Sequence, residues 1–332
     1  MFRYVVQRLG IMIPTLLVIS FLVFVIIQAP PGSYIDVIIN ELQSQGSAVD
    51  PAKIAAIKAQ YGLDQPFIVQ YLTWLGNLLQ GDMGYSFEYN LPVSQLVGDK
   101  LLLTMVVSIA TIVFIWVVSF PIAIYSATHQ YSLGDYAASF LGFIGLATPS
   151  FLLALVLLYF AHIWFGISIG GLMDPQYLDQ PWSWAKVRSL LGHLWVPVIV
   201  IGTSGTAGMI RRLRANLLDE LQKQYVTTGR AKGLPPGRLL LKYPLRMSLN
   251  PFIADIGSLL PEVVSGAVVV SVVMSLPTTG PMLLDALRNQ DMYLAGSFLM
   301  FLALLTVIGV FISDLLLAAL DPRIRLGGRA TK

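Results

Sequence analysis

The sequence contains no cysteine, few histidines and few charges, and each shortage removes a class of chemistry. Without cysteine there is no disulfide, no thiolate metal site and no cysteine nucleophile, whichever side of a membrane a loop faces. Three histidines leave little for imidazole catalysis. Charged residues make up 12% of the 332 positions, against roughly 25% in a soluble domain, which excludes an ordinary water-soluble globule. A G-x-x-x-x-G-K-[ST] phosphate loop is also missing, so ATP is not bound by this chain in the usual manner.

What remains is apolar: 56% of the residues are hydrophobic. Crossing a hydrocarbon core of about 30 Å takes about 20 helical residues. Stretches near that length lie at 9–28, 101–125, 138–165, 194–210, 252–275 and 295–318. The expected fold class is therefore all-α integral membrane, with six transmembrane helices. The first stretch follows Arg3 and Arg8 as in a signal peptide, yet it is near spanning length and no small-residue cleavage site follows, so it reads as a retained span. The fourth is the shortest and carries Gly202, Thr203, Ser204, Gly205, Thr206 and Gly208, which suits contact with protein or a polar cavity more than lipid.

A net charge of +3 is no pointer to nucleic acid, because basic residues sort across membranes. Arg3 and Arg8, nine basic residues in 211–250, and Arg323, Arg325, Arg329 and Lys332 place fifteen of the 21 on one side. The opposite loops hold Asp36, Glu41, Asp50, Asp64, Asp82, Glu88, Asp99, Asp174, Asp179, Asp285 and Asp291. By the positive-inside rule both termini are expected in the cytoplasm of a bacterial inner membrane. The chain divides into a first span with its short N-terminus (1–28), an external insertion (29–98), a five-helix core (99–318) with a cytoplasmic loop at 211–250, and a cytoplasmic tail (319–332).

The insertion is too long for a simple connection. Asp50 and Pro51 can open a helix whose face carries Ile54, Ile57 and Tyr61, with Gly62 to end it. From Pro66, the residues Phe67, Tyr71, Trp74, Leu75, Leu78 and Leu79 recur at helical spacing until Gly81, giving a face for the membrane surface or for the bundle.

The stretch Arg211–Asn250 reads as helix, turn, helix. Ala215–Arg230 has high helix propensity, Gly233, Pro235 and Pro236 interrupt it, and Arg238–Leu249 resumes. Its mixture of Tyr225, Leu234 and Leu239 with Arg230, Lys232, Arg238 and Lys242 suits a protein partner, and a basic loop that merely fixes topology has the same residue types. Within the spans, Asp255 and Glu262 are seven apart and so share roughly one helical face, with Ser258 and Ser265 beside them. Intramembrane carboxylates are costly and tend to line cavities or find partners. Two readings fit: a translocation path, or a structural role in which Glu262 pairs with a neighbouring helix or Asp255 sits at the water boundary. Asp314 is a third such carboxylate, and Pro261 beside Glu262 can loosen the helix. His162 and His193 are too isolated to suggest a metal site, and none is expected.

The run YVTTGRAKGLPPGRLLLKYPLR, Tyr225–Arg246, resembles the cytoplasmic loop of binding-protein-dependent ABC importer permeases, specifically the dipeptide/oligopeptide permease B-like family. RLGIMIPTLLVISFLVF at Arg8–Phe24, YGLDQPFIVQYLTWLGNLLQGDMGYSF at Tyr61–Phe87, SLPTTGPMLLDAL at Ser275–Leu287 and LDPRIRL at Leu320–Leu326 resemble that family in the same order along nearly the whole chain. The resemblance implies a type I importer permease, one half of a heterodimer with a related chain, served by two ATP-binding subunits that hold ATP and magnesium, and by an external solute-binding protein. No cofactor is implied for this chain, and it is not itself an enzyme. In the family this loop carries an EAA-type motif that docks on the ATPase. Aligned on Gly233, the Glu-Ala-Ala positions hold Thr227, Thr228 and Gly229 here, so the acidic first residue is missing. The implied coupling residues are Tyr225, Thr227, Thr228, Gly229, Arg230, Ala231, Lys232, Gly233 and Leu234. Peptides are the implied substrate class, with oligosaccharides and opines also carried in the family. The competing reading is an ion-gradient-driven secondary transporter or channel using Asp255 and Glu262, against which the lack of an inverted repeat argues.

Overall fold

The computed structural model describes residues 2–29, 65–86, 88–89, 91–165, 170–178 and 180–320. The expected helix from Asp50 to Gly62 and the tail beyond residue 320 lie outside them. The chain divides into two compact units, Met1–Leu103 with Thr278–Val307, and Thr104–Pro277 with Ile308–Lys332.

In the first unit the N-terminal apolar run forms α1, Phe2–Gln28, which tolerates Pro14 in its interior. The periodicity after Pro66 becomes α2, Phe67–Leu79. Gly81 ends it at φ +84°, with Gly81 N–H donating to Leu78 O and Asp82 N–H to Asn77 O at 3.1 and 2.9 Å. That is the Schellman closure, in which a left-handed residue lets the chain fold back onto the last carbonyls. Of the two options for its apolar face, α2 takes the bundle: Tyr71, Trp74, Leu75 and Leu78 pack with Val23 and Phe24 of α1. Leu79 departs from the pattern and is exposed. A two-stranded hairpin, β1 (Tyr85–Ser86) and β2 (Leu91–Pro92), pairs antiparallel. It leads into α3, Val93–Thr128, which starts before the expected 101 because Val93 and Val97 already bury against Met282, Ala286, Leu294 and Ala295. The last two lie on the helix Met292–Leu320.

The second unit begins within α3. The expected span 138–165 is not one helix but two, α4 (Leu133–Ala147) and α5 (Ser150–Phe165), bent by 102°. Pro149 explains the break. Its ring disfavours helical geometry in the residue before it, and Thr148 is accordingly extended at φ −83°, ψ 120°. Next comes α6, Trp184–Leu221, capped by Ser183, whose hydroxyl accepts the Lys186 N–H. Its Gly202 and Gly205 lie directly on α3: a Cβ at either would meet Phe114 or Ile115 at 2.7 Å. The small-residue cluster of the fourth span is thus a close helix–helix contact at these two positions.

Three short helices follow, α7 (Gln224–Ala231), α8 (Pro236–Lys242) and α9 (Pro244–Ser248). The expected fifth span 252–275 appears as α10 (Asn250–Gly266) and α11 (Val268–Val273). After them come α12 (Thr279–Arg288) and α13 (Met292–Leu320). Ile115, Ala123, Met209, Ile210, Leu213 and Phe252 form a core shared by α3, α6 and α10.

By length and apolarity α1, α3, α6 and α13 are each sufficient to cross a membrane, and the bent α4–α5 pair is a fifth crossing if taken as one. The remaining expected span has an apolar stretch of 17 residues, Gly257–Val273. At about 1.5 Å per residue that falls short of about 30 Å unless the start of α10 is included.

Candidate functional site

The segment 211–250 is more finely divided than its helix propensity predicts. The expected helix Ala215–Arg230 breaks at Gln222–Lys223, where Lys223 is extended at φ −69°, ψ 147°. No glycine or proline announces this break. Beyond the turn Val226 and Gly229 of α7 are buried, Gly229 against Leu239 of α8, a burial that favours the turn. Tyr243, which precedes Pro244, separates α8 from α9 at φ −120°, ψ −78°, displaced from helical geometry without becoming extended as Thr148 is.

Gly229 and Gly233 have different jobs. A Cβ on Gly229 would sit 2.5 Å from Leu239 Cδ1 and 3.5 Å from Leu234 Cδ1, so its lack of a side chain allows α8 to approach. Gly233 faces open space but holds φ +76°, a conformation in which a Cβ is penalised. Around it the closure is complete: Leu234 N–H donates to Gly229 O and Gly233 N–H to Arg230 O, at 3.2 and 3.0 Å. Leu234 adds the apolar contact back onto the helix that accompanies this motif. The nine implied coupling residues therefore separate into two sets. Tyr225, Thr227, Thr228, Arg230, Ala231, Lys232 and Gly233 are exposed, whereas Gly229 is buried and Leu234 half-buried beneath them.

Tyr225 donates its hydroxyl to Glu220. Partial desolvation of the hydroxyl and that carboxylate hold the phenol above the usual tyrosine range, so it stays a neutral donor. Beneath α7 and α8 is a cavity of about 680 Å³ lined by Val226, Arg230 and Leu239 together with Ala127 and Thr128 at the end of α3.

The four path candidates all lie on α10, but they are not equivalent. Asp255 pairs with Arg212 of α6 at 2.8 Å, both side chains about half exposed. Ser258 donates to Asp255 O at 3.1 Å and Ser265 to Pro261 O at 2.8 Å, so each hydroxyl is taken up by its own helix. Glu262 and Ser265 are exposed. Pro261 sits within α10 without ending it. His193 contacts Ser189 O at 2.8 Å and lies 3.8 Å from Asp174, while His162 is exposed. Among the described residues no three His, Asp or Glu side chains converge as metal ligands would.

Two further carboxylates are buried: Asp291, expected only as a loop charge, and Asp135. Asp291, fully buried, accepts from Ser86 Oγ at 2.5 Å and from the Glu88 and Leu294 N–H groups at 3.2 Å, tying the hairpin to the start of α13. Asp135 at the start of α4 takes both arms of the Arg214 guanidinium at 2.8 Å. The signal for Asp135 was present in Ser132-Leu133-Gly134-Asp135, a helix-start pattern before an apolar run. Nothing local marks its partner Arg214 among the nine basic residues of that stretch.

Comparison with known proteins agrees with this architecture. Residues 119–326 match the family described as binding-protein-dependent transport system inner membrane component, and residues 1–110 match the N-terminal family of the same transport systems. The chain is 34% identical to the oligopeptide transport system permease protein AppB of Bacillus subtilis (strain 168), over 98% of this chain and 99% of that one. It is 26% identical to the dipeptide transport system permease protein DppB of Escherichia coli (strain K12), over 98% and 99%. Identity to the peptidoglycan transport system permease protein YejB of Agrobacterium fabrum is 28%, over 97% of both chains. On full-length matches of this kind, the chain belongs to the binding-protein-dependent transport system inner membrane component family, and is a multi-pass permease subunit of the inner membrane.

Proposed function

We propose that this chain forms half of the translocation path of an ATP-driven importer for peptides or peptide-containing solutes. Its partners are a second, related permease chain, two ATP-binding subunits and an external solute-binding protein. Relatives named for oligopeptide, dipeptide and peptidoglycan transport support that substrate class. Both termini lie in the cytoplasm, residues 29–98 form the external insertion, and 99–318 form the core with its cytoplasmic loop at 211–250.

The observation that carries the coupling role is the outward face of α7, closed by Gly233 and presenting Tyr225, Thr227, Thr228, Arg230, Ala231 and Lys232 on a rigid support of Val226, Gly229, Leu234 and Leu239. Driving a two-state transporter from 1:99 to 99:1 takes about 5.5 kcal/mol of differential binding. A chain with no phosphate loop must receive that from a neighbour. On α10, Asp255, Ser258, Glu262 and Ser265 mark the side turned to the path, with Glu262 the most available.

The test is reconstitution in liposomes. The complete complex is expected to accumulate peptide with ATP and receptor present, and the chain alone is expected to transport nothing. Transport by the isolated chain driven by an ion gradient would overturn the reading.

A further inference from the structure

Asp135 and Arg214 form a buried joint for which the family membership gives no role. The Asp135 side chain is 3% exposed and that of Arg214 26%. Besides the two arms of Arg214, the carboxylate accepts the Tyr131 N–H at 2.9 Å and the Ser126 hydroxyl. Arg214 Nε also reaches Ser126 Oγ at 3.0 Å. Three helices therefore meet at one ion pair: the end of α3 through Ser126, the start of α4 through Asp135, and α6 through Arg214. The turn between α3 and α4 depends on it as well, because Tyr131 is held at φ +65°, a conformation unfavourable for a residue with a Cβ. A bidentate arginine–carboxylate pair fixes orientation as well as distance. Removing one partner leaves the other charge buried and unpaired.

The position of this joint gives it a mechanical consequence. Arg214 lies two helical turns before Leu221, where α6 ends and the chain turns into α7. Leu217 between them and Leu213 next to Arg214 are both fully buried, so this stretch of α6 is packed in place. Ala127 and Thr128, immediately after Ser126, line the cavity under α7 and α8. A push on α7 thus arrives at the end of α6 and, through Arg214, at the connected ends of α3 and α4.

We propose that the Asp135–Arg214 pair, with Ser126, is a positioning joint that makes the ends of α3, α4 and α6 move as one body when the coupling segment is displaced. This rests on the proposed ATP-driven function. A surface ion pair serving only to hold helices together lacks the third contact and the burial, and transmits nothing in particular.

The test uses the full complex in liposomes. Asp135→Asn and Arg214→Lys are each expected to keep basal ATP hydrolysis, while hydrolysis stimulated by the receptor and transport both fall about tenfold, the size of an ordinary coupling free energy. Because the chain has no cysteine, Leu133→Cys with Gln222→Cys places a spin-label pair at the exposed start of α4 and end of α6. In the otherwise unaltered chain that distance is expected to stay constant when ATP is added. Variants that assemble and keep full receptor stimulation overturn the joint. If the variants do not assemble, a label distance that changes with ATP in the otherwise unaltered chain overturns it instead. Absence of receptor-stimulated hydrolysis in the unaltered complex removes the proposed function and the joint together, whereas normal coupling in both the complex and its variants removes only the joint.

Discussion

Gly257 of α10 and Gly309 of α13 cross with their backbones in contact. A Cβ on Gly257 would lie 2.5 Å from the Val310 amide nitrogen, and one on Gly309 would lie 2.6 Å from Gly257 O. Ser313 Oγ, one turn further along α13, donates to Ile253 O and Ala254 O at 2.7 Å each. The atoms in the way are main chain, so no side chain can rotate aside. Alanine at either position gains up to about 1 kcal/mol of helix propensity but incurs overpacking of about 1–3 kcal/mol. Gly257→Ala and Gly309→Ala are therefore expected to lower the thermal unfolding midpoint in detergent. Equal midpoints would mean that α10 and α13 separate freely.

Gly233 yields a prediction of a different kind, because nothing crowds it and only its φ is unusual. Asparagine visits the left-handed region more readily than other residues with a Cβ, alanine pays about 1–2 kcal/mol there, and a β-branched residue more. Receptor-stimulated ATP hydrolysis is expected to fall in the order Gly233→Asn, Gly233→Ala, Gly233→Val, with the spans still inserted. Wild-type stimulation in Gly233→Val would remove the coupling assignment. At Gly229 the φ is ordinary and the obstacle is Leu239 Cδ1, so Gly229→Ala is expected to be partly rescued by Leu239→Ala, which Gly233→Ala is not.

The contrast between these glycines shows what the sequence makes legible. Gly233 was readable because a glycine followed by two prolines after a helical run is a local stop signal. Gly229 was named only by alignment, and its reason, the approach of Leu239, is a tertiary fact. The apolar runs placed α1, α3, α6 and α13 because span length is a one-dimensional property. Hydropathy alone does not show that 138–165 is broken by a 102° bend, although Pro149 stands in it, since proline is tolerated within membrane helices. The break at Gln222–Lys223 had no local sign at all. The sequence places Asp255 on one face with Glu262 but not beside Arg212, because a pairing across 43 positions is not visible in a single sequence.

Asp291 anchors the hairpin, and its loss has a localised signature. Asp291→Ala removes three acceptor contacts at once, leaving the buried Ser86 hydroxyl without an acceptor for its proton while its oxygen still receives the Tyr89 N–H at 3.3 Å. An unmet buried polar group costs about 1–3 kcal/mol, and loss of the helix-start contact to Leu294 N–H about 1 kcal/mol more. Hydrogen exchange at the Tyr85, Ser86 and Leu91 amides is expected to accelerate at least tenfold, with little change in α6. Unaltered exchange at the hairpin would show that strand pairing alone holds it.

Glu262 offers the sharpest separation of path from packing. It is exposed on α10, and Glu262→Gln keeps its size while removing the charge. The two neighbouring candidates serve as internal controls. Ser265→Ala deletes a hydroxyl already bonded to its own helix, so a small effect is expected. Asp255→Asn breaks a half-exposed pair with Arg212, worth about 0–1 kcal/mol once screening by solvent is counted, so folding is expected to be nearly unaffected. If the exposed side of α10 lines the path, Glu262→Gln changes the transport rate several-fold while co-purification of the ATP-binding subunits and basal hydrolysis stay the same. A carboxylate that serves only to pack against a second permease chain gives the opposite pattern, with transport lost in proportion to assembled complex and a normal rate per complex. Measuring both quantities on one preparation decides between them.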